Sequence, residues 1–298
     1  MSDMPQRAII LGFPDYREPA ERLAYAAGID YAEVQLHTFP DGESLVRLPA
    51  TLPPRVIFCR SLTDANRRLI ELELATATAR KLGAEHITLV APYLCYMRQD
   101  SAFHTGEAVS QKIIGQLLAR QVDALVTVDP HLHRTQHLAD AVPVTTALAI
   151  SAAPLMTDWL STRGADVLVL GPDEESEQWV RQITDPADFE YCIAHKDRHG
   201  DADVSIELPD ADVTGRDIVI VDDVISTGHT VAVAALQLAE RGARSVAVLV
   251  THALFADGAA EQLRLAGVRE ICSSDSIPHP TNQLELAGLL AAAIAGAG

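Results

Sequence analysis

Aromatic residues are scarce, at 5% of 298 positions, although hydrophobic residues in total reach 48%. The interior must therefore be filled by Leu, Val, Ile and Ala rather than by large rings. Basic charge is also in short supply: 23 Lys and Arg face 41 Asp and Glu, a formal net charge of −18. Counterion-release binding to nucleic acid needs clustered cations, and no Lys/Arg run occurs. Nucleic acid is thus excluded as an expected partner, and the same acidity argues against anionic membranes. It does not exclude phosphate compounds, because a few local cations, backbone amides and bound divalent ions can reverse the field inside one site. Cys59, Cys95, Cys192 and Cys272 form no CxxC pair and lie in or near apolar stretches. That speaks against a disulfide framework or a zinc site, and for buried, reduced thiols. The opening MSDMPQRAII has no basic region followed by an apolar run. No apolar run reaches the roughly 20 residues that span a bilayer. A soluble, cytoplasmic protein is expected.

What is present is alternation. Short β-branched runs at 8–11, 56–59, 87–91, 124–128, 167–170, 218–221, 246–250 and 268–271 read as strands. Near-continuous apolar runs of this length suit a parallel sheet covered on both faces. Helical patterns lie between them, at 65–82 after Thr63-Asp64 as N-cap, at 109–120, at 230–241 before Gly242, and at 282–295 in the tail. The expectation is an α/β fold. A coarse duplication is visible, with VTVDPHLHRT from Val126 and VIVDDVISTGHT from Val219 each closing a strand on Val-Asp. Two domains, 1–147 and 148–298, would explain both the repeat and the length.

The most specific string is VIVDDVISTGHT, residues 219–230. An apolar strand runs into Asp222-Asp223, and Ser226, Thr227, Gly228, His229 and Thr230 then lead into a helix. At the end of a parallel strand the chain enters the crevice where α/β folds bind ligands. Hydroxyls and free amides at a helix start suit a phosphate. The two carboxylates upstream can accept hydrogen bonds from vicinal hydroxyls such as those of a ribose. The plain alternative is an acidic turn with a Ser/Thr cap.

The full string resembles the PRPP-binding loop shared by phosphoribosyltransferases and PRPP synthetases. The resemblance implies that Ser226, Thr227, Gly228, His229 and Thr230 hold a 5-phosphate, and that Asp222 and Asp223 hold ribose hydroxyls. Three N-terminal stretches resemble the synthetases, the ribose-phosphate pyrophosphokinase family, and not the transferases. FPDGES at 39–44 is one; the likeness implies that Phe39 stacks on adenine across a subunit boundary, with Asp41, Gly42 and Glu43 at the adenosine. Its Asp-Gly also favours a hairpin turn, and both can hold. PYLCYMRQD at 92–100 is the second, and Arg98 and Gln99 are then ATP contacts; Arg can fork onto phosphate oxygens. Ser101 stands where archaeal-type members usually carry a basic residue, which removes one phosphate contact. VDPHLHR at 128–134 is the third, placing His131 at a Mg²⁺-associated position. Mg²⁺ prefers oxygen, so a role through a bound water suits this histidine. Zinc at His131, His133 and His137 would need a shared face and a fourth ligand.

His195-Lys196-Asp197-Arg198 resembles the family's Lys-x-Arg, which opens a loop over the reacting phosphates. Lys196 and Arg198 are the catalytic candidates this implies. Asp173, in GPDEESEQ, is the second Mg²⁺ candidate. The family follows that Asp with small residues; here Glu174 and Glu175 stand. Two like charges about 4 Å apart interact by about 4 kcal/mol at an effective dielectric near 20. They must point away, meet an added cation or alter the site.

The resemblance implies two phosphoribosyltransferase-type domains, each a mainly parallel sheet flanked by helices, with an active site completed by a neighbouring copy in a homodimer or larger ring. It implies ATP and ribose 5-phosphate as substrates, Mg²⁺ as cofactor, and PRPP and AMP as products. Two other readings stay open: a non-catalytic, synthetase-like regulatory subunit, and a phosphoribosyltransferase that consumes PRPP.

Overall fold

The computed structural model describes residues 7–102, 104–164, 166–198 and 204–296. They fall into two units. The first takes the chain up to Ile150, with Ser276–Pro278 and the segment from Glu285 onward; the second takes Ser151–Asp275 and His279–Leu284.

In the first unit the order is β1 (Ala8–Gly12), α1 (Arg17–Ala27), β2 (Asp30–Glu33), β3 (Gln35–Thr38), β4 (Ser44–Arg47), β5 (Arg55–Cys59), α2 (Ala65–Lys81), β6 (His86–Ala91), α3 (Ser110–Ala119), β7 (Ala124–Val128), α4 (Leu138–Ala141) and β8 (Thr146–Ile150). Six strands pair in the order β2-β1-β5-β6-β7-β8, all parallel. Val56, Phe58, Leu89 and Val126 are fully buried, as strands covered on both faces require.

The second unit runs α5 (Ala153–Ser161), β9 (Val167–Gly171), α6 (Glu177–Thr184), β10 (Tyr191–Ile193), β11 (His195–Arg198), β12 (Val204–Glu207), β13 (Asp217–Ile225), α7 (His229–Glu240), β14 (Ser245–Ala253), α8 (Ala259–Leu265), β15 (Val268–Ser274) and β16 (Asn282–Leu284). Its sheet order is β10-β9-β13-β14-β15-β16, again parallel. The helix α9 (Ala287–Gly296) closes the chain and packs on α1 and β8 in the first unit.

Numbered within its own unit, each sheet reads 2-1-3-4-5-6. Each unit also inserts a separate antiparallel pair between its second and third sheet strands: β3-β4 in one, β11-β12 in the other. The counterpart of β13 is therefore β5, not β7. The Val-Asp endings after Val126 and Val219 match in letters, but they belong to different sheet positions.

The tail departs from the helix expected over 282–295. Asn282–Leu284 is a strand because Asn282 Nδ2 donates to Ser273 Oγ at 2.9 Å and to the Ser274 carbonyl at 2.6 Å. The Leu284 carbonyl meanwhile accepts from the Asp275 amide at 2.9 Å. Pairing with β15 overrides local helical preference. The start of α2 also differs from expectation. Asp64 occupies the N-cap position in a left-handed conformation (φ 48°) without capping a helix amide; its carboxylate instead takes Arg67 Nε at 2.6 Å.

Candidate active site

Strand β13 does not stop at Asp222-Asp223 but continues to Ile225. Asp223 is buried, and its amide donates to Asp222 Oδ1 at 2.9 Å. Asp222 is half-buried. Burial first, then the negative charges of Asp223 and Asp173, pushes it well above the ordinary carboxyl range. The chain then turns through Ser226, Thr227 and Gly228, and α7 begins at His229. Gly228 has φ 74°, so the backbone favours glycine there, while a Cβ would meet Leu263 Cδ2 only at an ordinary contact distance of 3.5 Å. The Ser226 carbonyl is tied to the Ala256 amide at 2.9 Å, while Thr227 and His229 are exposed. A rigid strand thus delivers hydroxyls and the N-terminus of a 12-residue helix to one place, an arrangement suited to an anion.

Asp173 follows β9 and caps the short turn Glu174–Ser176: its Oδ1 accepts the Ser176 amide at 3.1 Å, and Ser176 Oγ donates to the Asp173 carbonyl at 2.5 Å. The Glu174 carboxylate lies 2.7 Å from Nδ1 of His195, the first residue of β11. It is thereby turned toward a potential cation. Lys196 and Arg198 pair in register with Ile206 and Val204 across β11-β12; their side chains lie outside the described part of the structure.

In the first unit, residues 39–43 of FPDGES form the connection of the β3-β4 hairpin, and Ser44 opens β4. The Phe39 amide donates to the Glu43 carbonyl at 2.8 Å and the Gly42 amide to the Phe39 carbonyl at 2.9 Å. Gly42 takes φ 91°, and Asp41 Oδ1 accepts the Glu43 amide at 3.1 Å. Phe39 is 40% exposed and meets His37 edge-on, with ring centroids 4.9 Å apart.

Arg98 is exposed, and Gln99 is held by Ser110 Oγ, which donates to its Oε1 at 3.0 Å. The neighbouring Asp100 has a side chain only 3% exposed. Burial pushes its carboxyl upward, but the Arg134 amide at 3.0 Å and guanidinium at 2.8 Å outweigh that, leaving the net shift downward. Arg134 Nη1 also donates to Ser101 Oγ at 3.1 Å. A guanidinium from a distant loop therefore stands beside the position where the sequence lacks a basic residue. His131 and His133 approach through their Nε2 atoms at 2.5 Å with rings nearly perpendicular. Among the described residues no three His, Cys, Asp or Glu side chains group to hold a metal ion.

Three non-glycine residues in the first unit adopt positive φ: Asp64 after β5, Tyr96 after β6 and Asp129 after β7. Each conformation costs about 1–2 kcal/mol for an L-residue. Such outliers collect at ligand-binding edges, and here they mark the C-terminal ends of three successive strands.

Sequence reading missed Arg134 as the partner of Asp100 and His195 as the partner of Glu174, although both lie inside strings already singled out.

The duplicated 2-1-3-4-5-6 sheets, the paired flaps and the β13–α7 loop define a phosphoribosyltransferase-type α/β protein. Comparison with known proteins narrows the class. Residues 8–121 match the N-terminal domain of ribose phosphate pyrophosphokinase, and residues 206–294 match the phosphoribosyl synthetase-associated domain. A ribose-phosphate pyrophosphokinase of Methanopyrus kandleri is 34% identical over 96% of this chain and 98% of its own. Ribose-phosphate pyrophosphokinase 2 of Archaeoglobus fulgidus is 36% identical over 91% of this chain and 94% of its own. The crystal structure of phosphoribosylpyrophosphate synthetase from Mycobacterium smegmatis superposes with a TM-score of 0.84 at 24% identity, covering 98% of this chain and 99% of that one; it shows the shared fold. The chain belongs to the ribose-phosphate pyrophosphokinase family.

Proposed function

We propose that this protein transfers the β,γ-diphosphate of ATP to the C1 hydroxyl of ribose 5-phosphate, giving PRPP and AMP. The observation that carries the reading is collinear likeness to ribose-phosphate pyrophosphokinases over 96% of the chain. The β13–α7 loop supports the sugar-phosphate half. Ser226, Thr227, Gly228, His229 and Thr230 receive the 5-phosphate through hydroxyls and helix-start amides, and Asp222 and Asp223 take the ribose hydroxyls. For the nucleotide, Phe39 stacks on the base, Asp41, Gly42 and Glu43 line the adenosine, and Arg98 and Gln99 reach the phosphates.

In the reaction the C1 oxygen bonds to the β-phosphorus, the bridge to the α-phosphate breaks, AMP leaves with that electron pair, and the hydroxyl proton is released. Charge gathers on the transferring and leaving oxygens, so positioning and cations dominate catalysis. Lys196 and Arg198 are the cations assigned here. The Glu174–His195 pairing draws one of the two extra carboxylates toward a compensating group.

The donor chemistry suits Mg²⁺. Asp173 lies close enough to raise Asp222 by its charge, and a hard cation is held by one or two carboxylates with substrate phosphates and water completing its shell. Asp173 would hold it, and His131, facing His133, would act through water. When bound, Mg²⁺ neutralises oxygens of the triphosphate.

The protein works in the cytoplasm as a homo-oligomer, a dimer or larger ring, with the exposed Phe39 turn of one copy serving the ATP site of another. Its four cysteines form no disulfide, in keeping with a reducing compartment. Among the described residues no helix is long and apolar enough to cross a membrane.

Labelled ATP tests the reaction. With ³²P at the γ position, the label should move to PRPP while unlabelled AMP forms mole for mole. Label passing to a monophosphate ester with release of ADP would contradict it.

A further inference from the structure

Glu71 lies within α2, yet its side chain is only 1% exposed. Both oxygens are engaged. Oε2 accepts Arg60 Nη2 at 2.5 Å, and Oε1 accepts the Ser44 hydroxyl at 2.9 Å, with Arg67 Nη1 3.4 Å from Oε1. Arg60, fully buried, is itself fixed from three sides. Its Nε donates to Asp15 Oδ1 at 3.1 Å and its Nη2 to Asp15 Oδ2 at 2.7 Å, and its guanidinium carbon lies 4.3 Å from the Phe13 ring centroid. Asp15 follows β1 and Arg60 follows β5, two adjacent strands of the central sheet. The Glu71 carboxylate is therefore a fixed point, since removing one partner of a buried ion pair leaves an uncompensated charge.

Ser44 is the first residue of β4, directly after the turn at residues 39–43. A two-stranded hairpin by itself is marginal in water, so its tip needs an external constraint to hold one position. The Ser44 hydroxyl donates to a buried carboxylate that also pairs with the Arg60 guanidinium, a charge-assisted network and the stronger class of such bonds.

We propose that the chain Ser44–Glu71–Arg60 anchors the hairpin and presets residues 39–43 for the nucleotide, which makes Ser44 and Glu71 positioning residues for ATP. The inference rests on the reading that this turn binds adenosine. Holding a loop in its bound position raises affinity by lowering the ordering cost of binding.

The test uses the full-length protein and isothermal titration with ATP and, separately, ribose 5-phosphate. Ser44→Ala should weaken ATP binding about tenfold, the size expected for one hydrogen bond to a charged group. It should leave ribose 5-phosphate binding unchanged and speed amide exchange at residues 39–43. Ser44→Thr, which keeps the hydroxyl, should bind ATP like the parent. If Ser44→Ala binds ATP as tightly as the parent while Phe39→Ala does not, the anchor is wrong and the adenosine reading stands. If Phe39→Ala also binds ATP normally, the reading of the turn fails and the anchor falls with it. Loss of ribose 5-phosphate binding in Ser44→Ala would mean general disruption and would likewise overturn the anchor.

Discussion

Desolvation and the neighbouring charges of Asp223 and Asp173 act together on the Asp222 carboxyl. Its folded-state pKa is raised above the unfolded value, so the folded protein holds the extra proton. The stability it contributes is full below the unfolded carboxyl pKa and is lost as pH rises through the folded pKa. Asp222→Asn removes that penalty. It should raise Tm at pH 8, with the gain shrinking toward pH 4, while weakening ribose 5-phosphate binding; thermal melts across pH check the first and titration the second. The thiols give a second prediction at this scale. Burial pushes Cys95 and Cys272 up to about 12 and Cys192 up to about 11, and Cys59 is buried. Thiolates are the reactive form, so a disulfide dye should label no cysteine quickly in the native protein and all four after denaturation. Candidate residues were legible one by one where motif strings keep neighbours together. The partners were not: Arg134 reaches Asp100 across 34 positions, Ser44 reaches Glu71 across 27 and His195 reaches Glu174 across 21. Folding sets those meetings, and spacing carries no trace of them.

Elements were legible where burial is two-sided. The inner strands β5, β6, β7, β13 and β14 stand out as apolar runs, whereas β2, β10 and β16 at the sheet edges are three or four residues long with mixed burial. Residues 282–284 read as helix because Asn282-Gln283-Leu284 follows Pro280 and runs unbroken into the apolar tail, and only pairing with β15 makes them a strand. The tail helix α9 buries Leu290 and Ile294. Leu290→Ala should cost about 2–5 kcal/mol, the usual range for a buried Leu. Because α9 packs on α1, hydrogen exchange should quicken in α1 and β8 and stay unchanged in α7 and β14. The loop before α7 offers a second test. Gly228 at φ 74° makes Gly228→Ala strained by about 1–2 kcal/mol, and ribose 5-phosphate affinity measured by titration should drop with it.

At the scale of the whole molecule, the repeat is one of architecture more than of letters. Both units carry a 2-1-3-4-5-6 parallel sheet with a flap before the third strand, and they use the flap differently: one presents Phe39, the other carries Lys196 and Arg198. Duplication was legible in the sequence, but its register was not, because Val-Asp recurs at unequal sheet positions. Under the proposed function the first unit holds the nucleotide, and the second holds the sugar phosphate and carries Lys196 and Arg198. Lys196→Ala should accordingly lower kcat by orders of magnitude and leave ribose 5-phosphate affinity nearly unchanged; steady-state kinetics with parallel titration decide it. Diphosphate transfer is tested by phosphorus NMR of the protein with Mg²⁺, ATP and ribose 5-phosphate. AMP and PRPP resonances should grow in equal amounts as ATP declines; ADP in their place, or an unchanged ATP spectrum, would rule the transfer out.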